Sequence, residues 1–164
     1  MNIRTIAKCD MDDVVQIEDE SFEMPWGERE IATLLRERNT VGLVAEDRER
    51  YVHGFVIYRQ GNSAIKILNM AVRPESRGRG VGRFMLRRLV RKCGPHSTWR
   101  VVTVNIVDNN LDAHLFFRSC GARATGICKN SVLVGDEVRD TYRFVVTPKG
   151  FAAVDVQVEE EGFV

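Results

Sequence analysis

A mixed α/β fold is what this sequence predicts, on three observations. Three apolar, β-branched runs, Thr40–Glu46, Val52–Gln60 and Ser63–Val72, are joined by connections short enough to require antiparallel hairpins. The third run leads through a glycine-rich loop into an amphipathic helix and then into another β-branched run, so a crossover returns that strand parallel to its predecessor. The 164 residues, 44% hydrophobic and 29% charged, suit one globular domain with its own core.

Each element has its own signal. Ile3–Ala7 reads as a short first strand. Asp10 is placed to cap a first helix, with Asp12 and Asp13 in its favourable first turn and Met11, Val14, Val15, Ile17 and Phe22 on one face. Seven acids and no bases lie between Asp10 and Glu23. The simplest reading is a solvated helix face, and the functional alternative is the edge of a site that attracts a basic amine. Pro25 cannot continue that helix and Gly27 caps the next, whose stripe is Ile31, Leu34 and Leu35. Trp26 reads as a packing anchor. Gly61-Asn62 makes the turn into the third hairpin strand. The crossover helix runs to Cys93 and stops at Gly94-Pro95.

Thr98–Val107 is the returning strand. Asp108-Asn109-Asn110 breaks it and caps a helix over Leu111–Ser119, which Gly121 ends. Ala122–Val134 and Glu137–Val146 form a long hairpin around Gly135-Asp136. Val154, Val156 and Val158 alternate with polar residues, which predicts an extra edge strand, followed by a solvated Glu159–Glu161 run. Residues 1–146 therefore make the domain, in the order β-α-α-β-β-β-α-β-α-β-β, and 147–164 a tail.

Composition excludes several classes. The net charge of +1 gives no bulk argument for nucleic acid, and no aromatics interleave with the arginines as a single-strand platform would need. No apolar run has membrane-spanning length and the N-terminus lacks a signal-peptide core, which predicts a cytoplasmic protein without a membrane partner. Cys9, Cys93, Cys120 and Cys128 show neither CxxC spacing nor a histidine cluster, so reduced thiols and no metal are expected. His53, His96 and His114 have no neighbouring ligand types and read as structural. Monomer and homodimer both stay open.

The stretch Ala64–Cys93 carries the chemistry. Gly78, Gly80 and Gly82 let backbone N–H groups converge, and the following helix adds its unsatisfied N–H groups and the positive end of its dipole. That is a site for a phosphate or pyrophosphate. Eight Arg or Lys and a single acid, Glu75, between Arg73 and Lys92 agree with it. The GxxxxGK[ST] loop is absent. The glycine spacing is not that of a Rossmann fingerprint, and no acid lies between Glu75 and Asp108 to read a ribose.

Arg77-x-x-Gly80-x-Gly82, after a strand ending Asn-Met-Ala-Val-Arg-Pro, resembles the acetyl-CoA signature of the GCN5-related N-acetyltransferases (GNAT). The element order is also that family's, whose central parallel strands splay to admit acetyl-CoA. The resemblance implies that Met70, Ala71 and Val72 pair with the pantetheine arm and the thioester, with the Val72 N–H facing the developing oxyanion. It implies that Arg77, Gly78, Arg79, Gly80, Val81, Gly82 and Arg83 hold the pyrophosphate. Glu23-Met-Pro-Trp26 is similar to the Pro-Trp segment of the ribosomal-protein-alanine N-acetyltransferases. Asn110-x-x-Ala113-x-x-x-Phe117-x-x-x-Gly121 is similar to their Asn-x-x-Ala-x-x-x-Tyr-x-x-x-Gly helix. The implied reaction is direct attack of an acceptor amine on acetyl-CoA, with a protein N-terminal α-amine as acceptor, and Asn110 and Phe117 beside the cofactor.

The sequence departs from the family at both proton-handling positions. Asn105 stands where the family has a Glu base, and Phe117 where it has a Tyr acid. The candidates to handle the proton are a water chain ordered by Asn105 and Asn110, Tyr142 and Asp140 on the last strand, and Glu20 and Glu23 near the first helix; Asn105 and Tyr142 are the candidate catalytic residues. The alternatives are a small-molecule amine acetyltransferase and a non-catalytic acyl-CoA-binding domain.

Overall fold

The computed structural model describes residues 1–161, with side chains through Asp155. Its strands are β1 (Asn2–Thr5), β2 (Thr40–Glu46), β3 (Val52–Gln60), β4 (Ala64–Val72), β5 (Val101–Val107), β6 (Arg123–Val134) and β7 (Glu137–Val146). Its helices are α1 (Met11–Asp19), α2 (Glu28–Arg36), α3 (Val81–Val90), α4 (Leu111–Ser119) and α5 (Pro148–Glu161). Through residue 146 this is the expected order. The chain divides into two compact units, Met1–Gln60 with Ile67–Leu86, and Gly61–Lys66 with the chain from Arg87 on.

The first unit is an antiparallel ladder with helices on it. β1 pairs with β2 and β2 with β3, both antiparallel. Val14 and Ile17 of α1 and Ile31 of α2 are fully buried against Val44, Phe55 and Ile57, and Trp26, Leu34 and Leu35 pack at the edge of this core. Gly42 and Gly54 let other groups approach the strands. A Cβ at Gly54 would lie 2.7 Å from the Ala71 carbonyl oxygen and 3.1 Å from Met85 Cε, so β3 can carry no side chain there beside the end of β4.

Asp10 does not cap α1 through its side chain. Its carboxylate accepts the Ala7 N–H at 2.7 Å and both Arg4 terminal nitrogens at 2.6 and 2.8 Å, and it is buried. The Arg4 hydrogen bonds hold it below its ordinary carboxylate range. The cap expectation failed because an arginine six residues back in the chain outcompetes the helix N–H groups for the carboxylate.

The second unit places β7 between β5 and β6, antiparallel to both. Gly135, with φ of +60°, makes the expected two-residue hairpin turn. Val102, Phe144, Val146 and Cys120 are fully buried, and Leu89 of α3 is buried as well.

The predicted edge strand in the tail is instead α5. The Thr147 hydroxyl accepts the Gly150 N–H at 2.9 Å, and Pro148 takes the first helical position. Threonine cap plus proline start overrides a three-residue alternation of valines. Phe151 is buried, and Asp155 receives Arg87 Nε at 2.8 Å and a terminal nitrogen at 2.7 Å. Gly121 has φ of +78°, and a Cβ on it would sit 2.2 Å from the Gly150 carbonyl oxygen, so only glycine lets α5 start here. The solvated Glu159–Glu161 run and two of the alternating valines, Val156 and Val158, have side chains outside the described residues.

Candidate active site

In the first unit, β4 brings Met70, Ala71 and Val72 to the start of the loop, with Ala71 buried and the other two half-buried. The next residues are held by side chains from several elements. The Arg73 N–H donates to the His53 carbonyl at 2.8 Å. Its buried guanidinium donates to the Val52 carbonyl at 3.0 Å and to Asp13 at 2.7 Å, and stacks over the Tyr51 ring at 4.9 Å. His53 bridges Ser76 Oγ at 2.8 Å and Asp47 at 3.2 Å. The Tyr51 hydroxyl donates to Glu75 at 2.7 Å. That bond raises the Tyr51 pKa and lowers that of Glu75. Arg77 reaches back to the Val72 carbonyl at 2.9 Å and to Ser21 Oγ at 3.0 Å.

Beyond this bracket the loop is open. Gly78 and Gly80 have φ of +72° and +79°, and a Cβ on either would meet nothing within 4 Å. Their glycines are required by the left-handed backbone, and the space above them is free. Arg79 lies exposed between them. Val81 is buried and starts α3, and Gly82 and Arg83 follow in its first turn, where N–H groups lack intrahelical partners. Two left-handed glycines, a helix start, three arginines and clear space are what the diphosphate of an acyl-CoA would need.

Glu18 was read with the solvated acidic face, and that is corrected. Its side chain is 1% exposed. Both carboxylate oxygens accept Asn69 Nδ2 at 2.9 Å, and Oε1 also accepts the Trp26 N–H at 3.1 Å. It thus ties the Pro25-Trp26 segment to the β4 residue just before Met70. Burial pushes its pKa up, against the bonds from Trp26 and Asn69. The signal was available: four residues after Val14 and one after Ile17, position 18 falls on the buried face of α1. Asp13 is likewise engaged, by Arg73. Glu20 receives Gln16 Nε2 at 2.8 Å, and Glu23 is exposed.

In the second unit, Asn110 caps α4, its Oδ1 accepting the Ala113 N–H at 3.1 Å. Phe117 is buried and edge-on to Phe116 at 5.0 Å. Asn105 is exposed on β5 and lies opposite Arg143 of β7, while Tyr142 lies opposite Ile106. Strand alternation therefore puts Asn105 and Tyr142 on opposite sheet faces, and the two candidate catalytic residues are not brought together. Tyr142 packs edge-on to His114 at 5.4 Å. His114 donates from Nε2 to the Val107 carbonyl at 3.0 Å and meets Phe144 at 5.3 Å, a packing role. Asp140 accepts Lys129 at 2.8 Å and the Asn130 N–H at 2.8 Å. Those bonds lower its pKa, which makes it a poor base.

Comparison with known proteins bears on the family and the fold. The acetyltransferase (GNAT) family model matches residues 11–122. A Bacillus subtilis protein described as a putative [ribosomal protein bS18]-alanine N-acetyltransferase is 25% identical over 128 residues, covering 78% of this chain and 84% of that protein. The solved ribosomal-protein-S18-alanine N-acetyltransferase of Escherichia coli superimposes with a TM-score of 0.73 at 18% identity, covering 89% of this chain and 92% of that one. Arabidopsis thaliana NAA60 in complex with acetyl-CoA gives a TM-score of 0.77 at 18% identity, with 90% and 98% covered. At these identities the two structural likenesses are likenesses of fold. The family model, spanning most of the chain and ending on the Gly121-Ala122 end of α4, is what decides the matter: this chain belongs to the GNAT acetyltransferase family, whose co-substrate is acetyl-CoA.

Proposed function

We propose that the acceptor is the α-amino group of a protein or peptide N-terminus, in the manner of the ribosomal-protein-alanine enzymes, and that the enzyme works in the cytoplasm. One observation carries the reading. The sheet position where the family places its Glu base holds an exposed Asn105 facing Arg143, and no acid shares that face in the β5–β7 register. Such a face suits an amine that deprotonates readily and carries little positive charge. An α-amine has a pKa of about 8, whereas a lysine-type amine sits near about 10.4. The first needs far less help from a base to reach its attacking form.

The chain's own groups then have simple tasks. Acetyl-CoA brings an activated acetyl group. The Gly78–Gly80 loop and the start of α3 hold the diphosphate. The Val72 N–H is the family's donor toward the thioester oxygen, and Arg77 fixes the carbonyl of the same residue. Asn105 Oδ1 can accept one N–H of the incoming amine and orient it. Positioning supplies much of the rate, and general acid–base help is worth roughly two to four orders of magnitude beyond it. Turnover slower than in relatives carrying the Glu and Tyr is expected.

The second reading is a polyamine acetyltransferase, favoured by the fold likeness to the Vibrio cholerae spermidine N-acetyltransferase, with a TM-score of 0.71 and 15% identity, covering 93% of this chain and 95% of that one. A guanidinium on the acceptor face disfavours a polycation. The test is CoA release from acetyl-CoA against peptides with free Ala, Ser or Met N-termini, the same peptides blocked but carrying lysine, spermidine, and aminoglycosides. Turnover confined to free N-termini is expected. Turnover confined to spermidine or aminoglycosides overturns the proposal.

A further inference from the structure

Asn105, Arg143 and Gly126 form one row across β5, β7 and β6, in direct register. Arg143 is exposed and, among the described residues, its guanidinium has no hydrogen bond or ion pair. On its β6 side stands Gly126, where a Cβ would meet nothing within 4 Å, so the guanidinium is uncovered. One step along the ladder on the same face, Val145 pairs with Arg123, a second exposed arginine that has no acidic partner among the described residues. The other cations of this hairpin are committed: Lys129 to Asp140, and Arg139 to Glu137 and Asp108. The family's Glu at position 105 would stand opposite Arg143 and pair with it. With Asn105 in its place, that charge is left over.

We infer that the acceptor carries a carboxylate close to its reacting amine, and that Arg143, seconded by Arg123, binds it. The substrate class is a free N-terminus followed by acidic residues. This rests on the N-terminal reading above and adds the side-chain preference to it. Arg143 would meet the carboxylate with paired N–H donors, the geometry guanidinium groups favour. Its charge would also hold the nearby amine in its neutral, attacking form, which suits a site that lacks a carboxylate base.

The test uses the full chain and three matched peptides, each with a free N-terminal Ala, followed by Glu-Glu, Gln-Gln or Lys-Lys. The quantity read is the ratio of kcat/KM values. The Glu peptide should exceed the Gln peptide by roughly three- to tenfold at low salt, the size of one charge-assisted contact. The ratio should shrink in 0.5 M salt. Arg143→Gln should bring it to about one, and Arg143→Lys should retain part of it. Asn105→Glu should also bring it to about one, by pairing with Arg143, without the rate gain a free base would give. Thermal unfolding of each variant separates loss of preference from loss of fold, and the salt dependence of the unsubstituted protein needs no variant. Equal use of all three peptides, or a preference that survives Arg143→Gln, overturns this inference while leaving N-terminal acetylation standing. Turnover of spermidine with silence on every peptide overturns both.

Discussion

Around Arg73–Ser76 in the first unit, polar side chains are spent on one another: Arg73 on Asp13 and a carbonyl, His53 on Asp47 and Ser76, Tyr51 on Glu75. Around Asn105 in the second unit they are left open, with Asn105 and Arg143 exposed side by side. The proposed function gives each region, taken by itself, a different task. A diphosphate held by backbone N–H groups, as proposed, needs the main chain of the first region fixed, with side chains as struts. An acceptor read by side chains, as proposed for the second region, needs a rigid ladder that presents them. Replacing one exposed residue there changes chemistry at little cost to the fold. Asn105, exposed on β5, is such a position, whereas Phe117 is buried.

The sharpest way to break this contrast is to fill the loop. Gly80→Trp places an indole in the open space above a left-handed residue. Losing several charge-assisted contacts should weaken acetyl-CoA binding by about 100-fold or more in calorimetry. Gly80→Ala separates the causes, since it adds only the left-handed strain of about 1–2 kcal/mol. Unchanged acetyl-CoA affinity in Gly80→Trp would remove the diphosphate from this loop.

A strut should cost stability where an open residue does not. Glu18→Ala leaves Asn69 Nδ2 and the Trp26 N–H buried without an acceptor, at about 3 kcal/mol. For a chain of this size that lowers Tm by roughly 6–12 °C, whereas Asn105→Ala should move it by no more than a degree or two. Glu18→Gln should recover most of the loss, because an amide can still bridge both partners. The sign with pH follows from the raised pKa. The folded protein binds the Glu18 proton more tightly than the unfolded chain does, so stability falls as pH climbs from the ordinary 4.5 through the folded value. Glu18→Gln should remove that slope from denaturant melts taken across this range. Equal Tm losses for Glu18→Ala and Asn105→Ala would erase the difference between the two regions.

Much of this was legible in the sequence, for identifiable reasons. Strand runs and hairpin turns are local, and the loop glycines sit beside their helix, so periodicity and spacing reach them. Residues whose role depends on distant partners were out of reach. Glu18 meets Asn69 fifty-one positions away, and nothing local to α1 names that partner. Arg143 gains meaning only from the β5–β7 register, which puts it opposite Asn105 and strips Tyr142 of the same position. In α5 the competing signals were both local, and the Thr147-Pro148 start outweighed the valine alternation because a capped turn satisfies its own backbone, whereas a new strand needs an unpaired neighbour.

The smallest effect lies far from either site and tests whether paired carboxylates in the first unit act through their charge. Asp10 is held below its ordinary 3.8, mainly by its hydrogen bonds to Arg4. A lowered carboxylate pKa stabilises the fold above the unfolded value, and that stabilisation drains away as pH falls through the folded one. Asp10→Asn should therefore cost about 1–2 kcal/mol at neutral pH, discounted because the Arg4 side chain is 22% exposed. Urea melts of the two proteins should converge as pH falls below the ordinary 3.8 and through the lowered folded value, where both lack the charge. If the gap instead stays constant from pH 7 down to the acid limb, the Asp10 side chain holds the Ala7 turn by shape and neutral hydrogen bonding. The ion pair with Arg4 would then be a consequence of that turn, with no share in stabilising it.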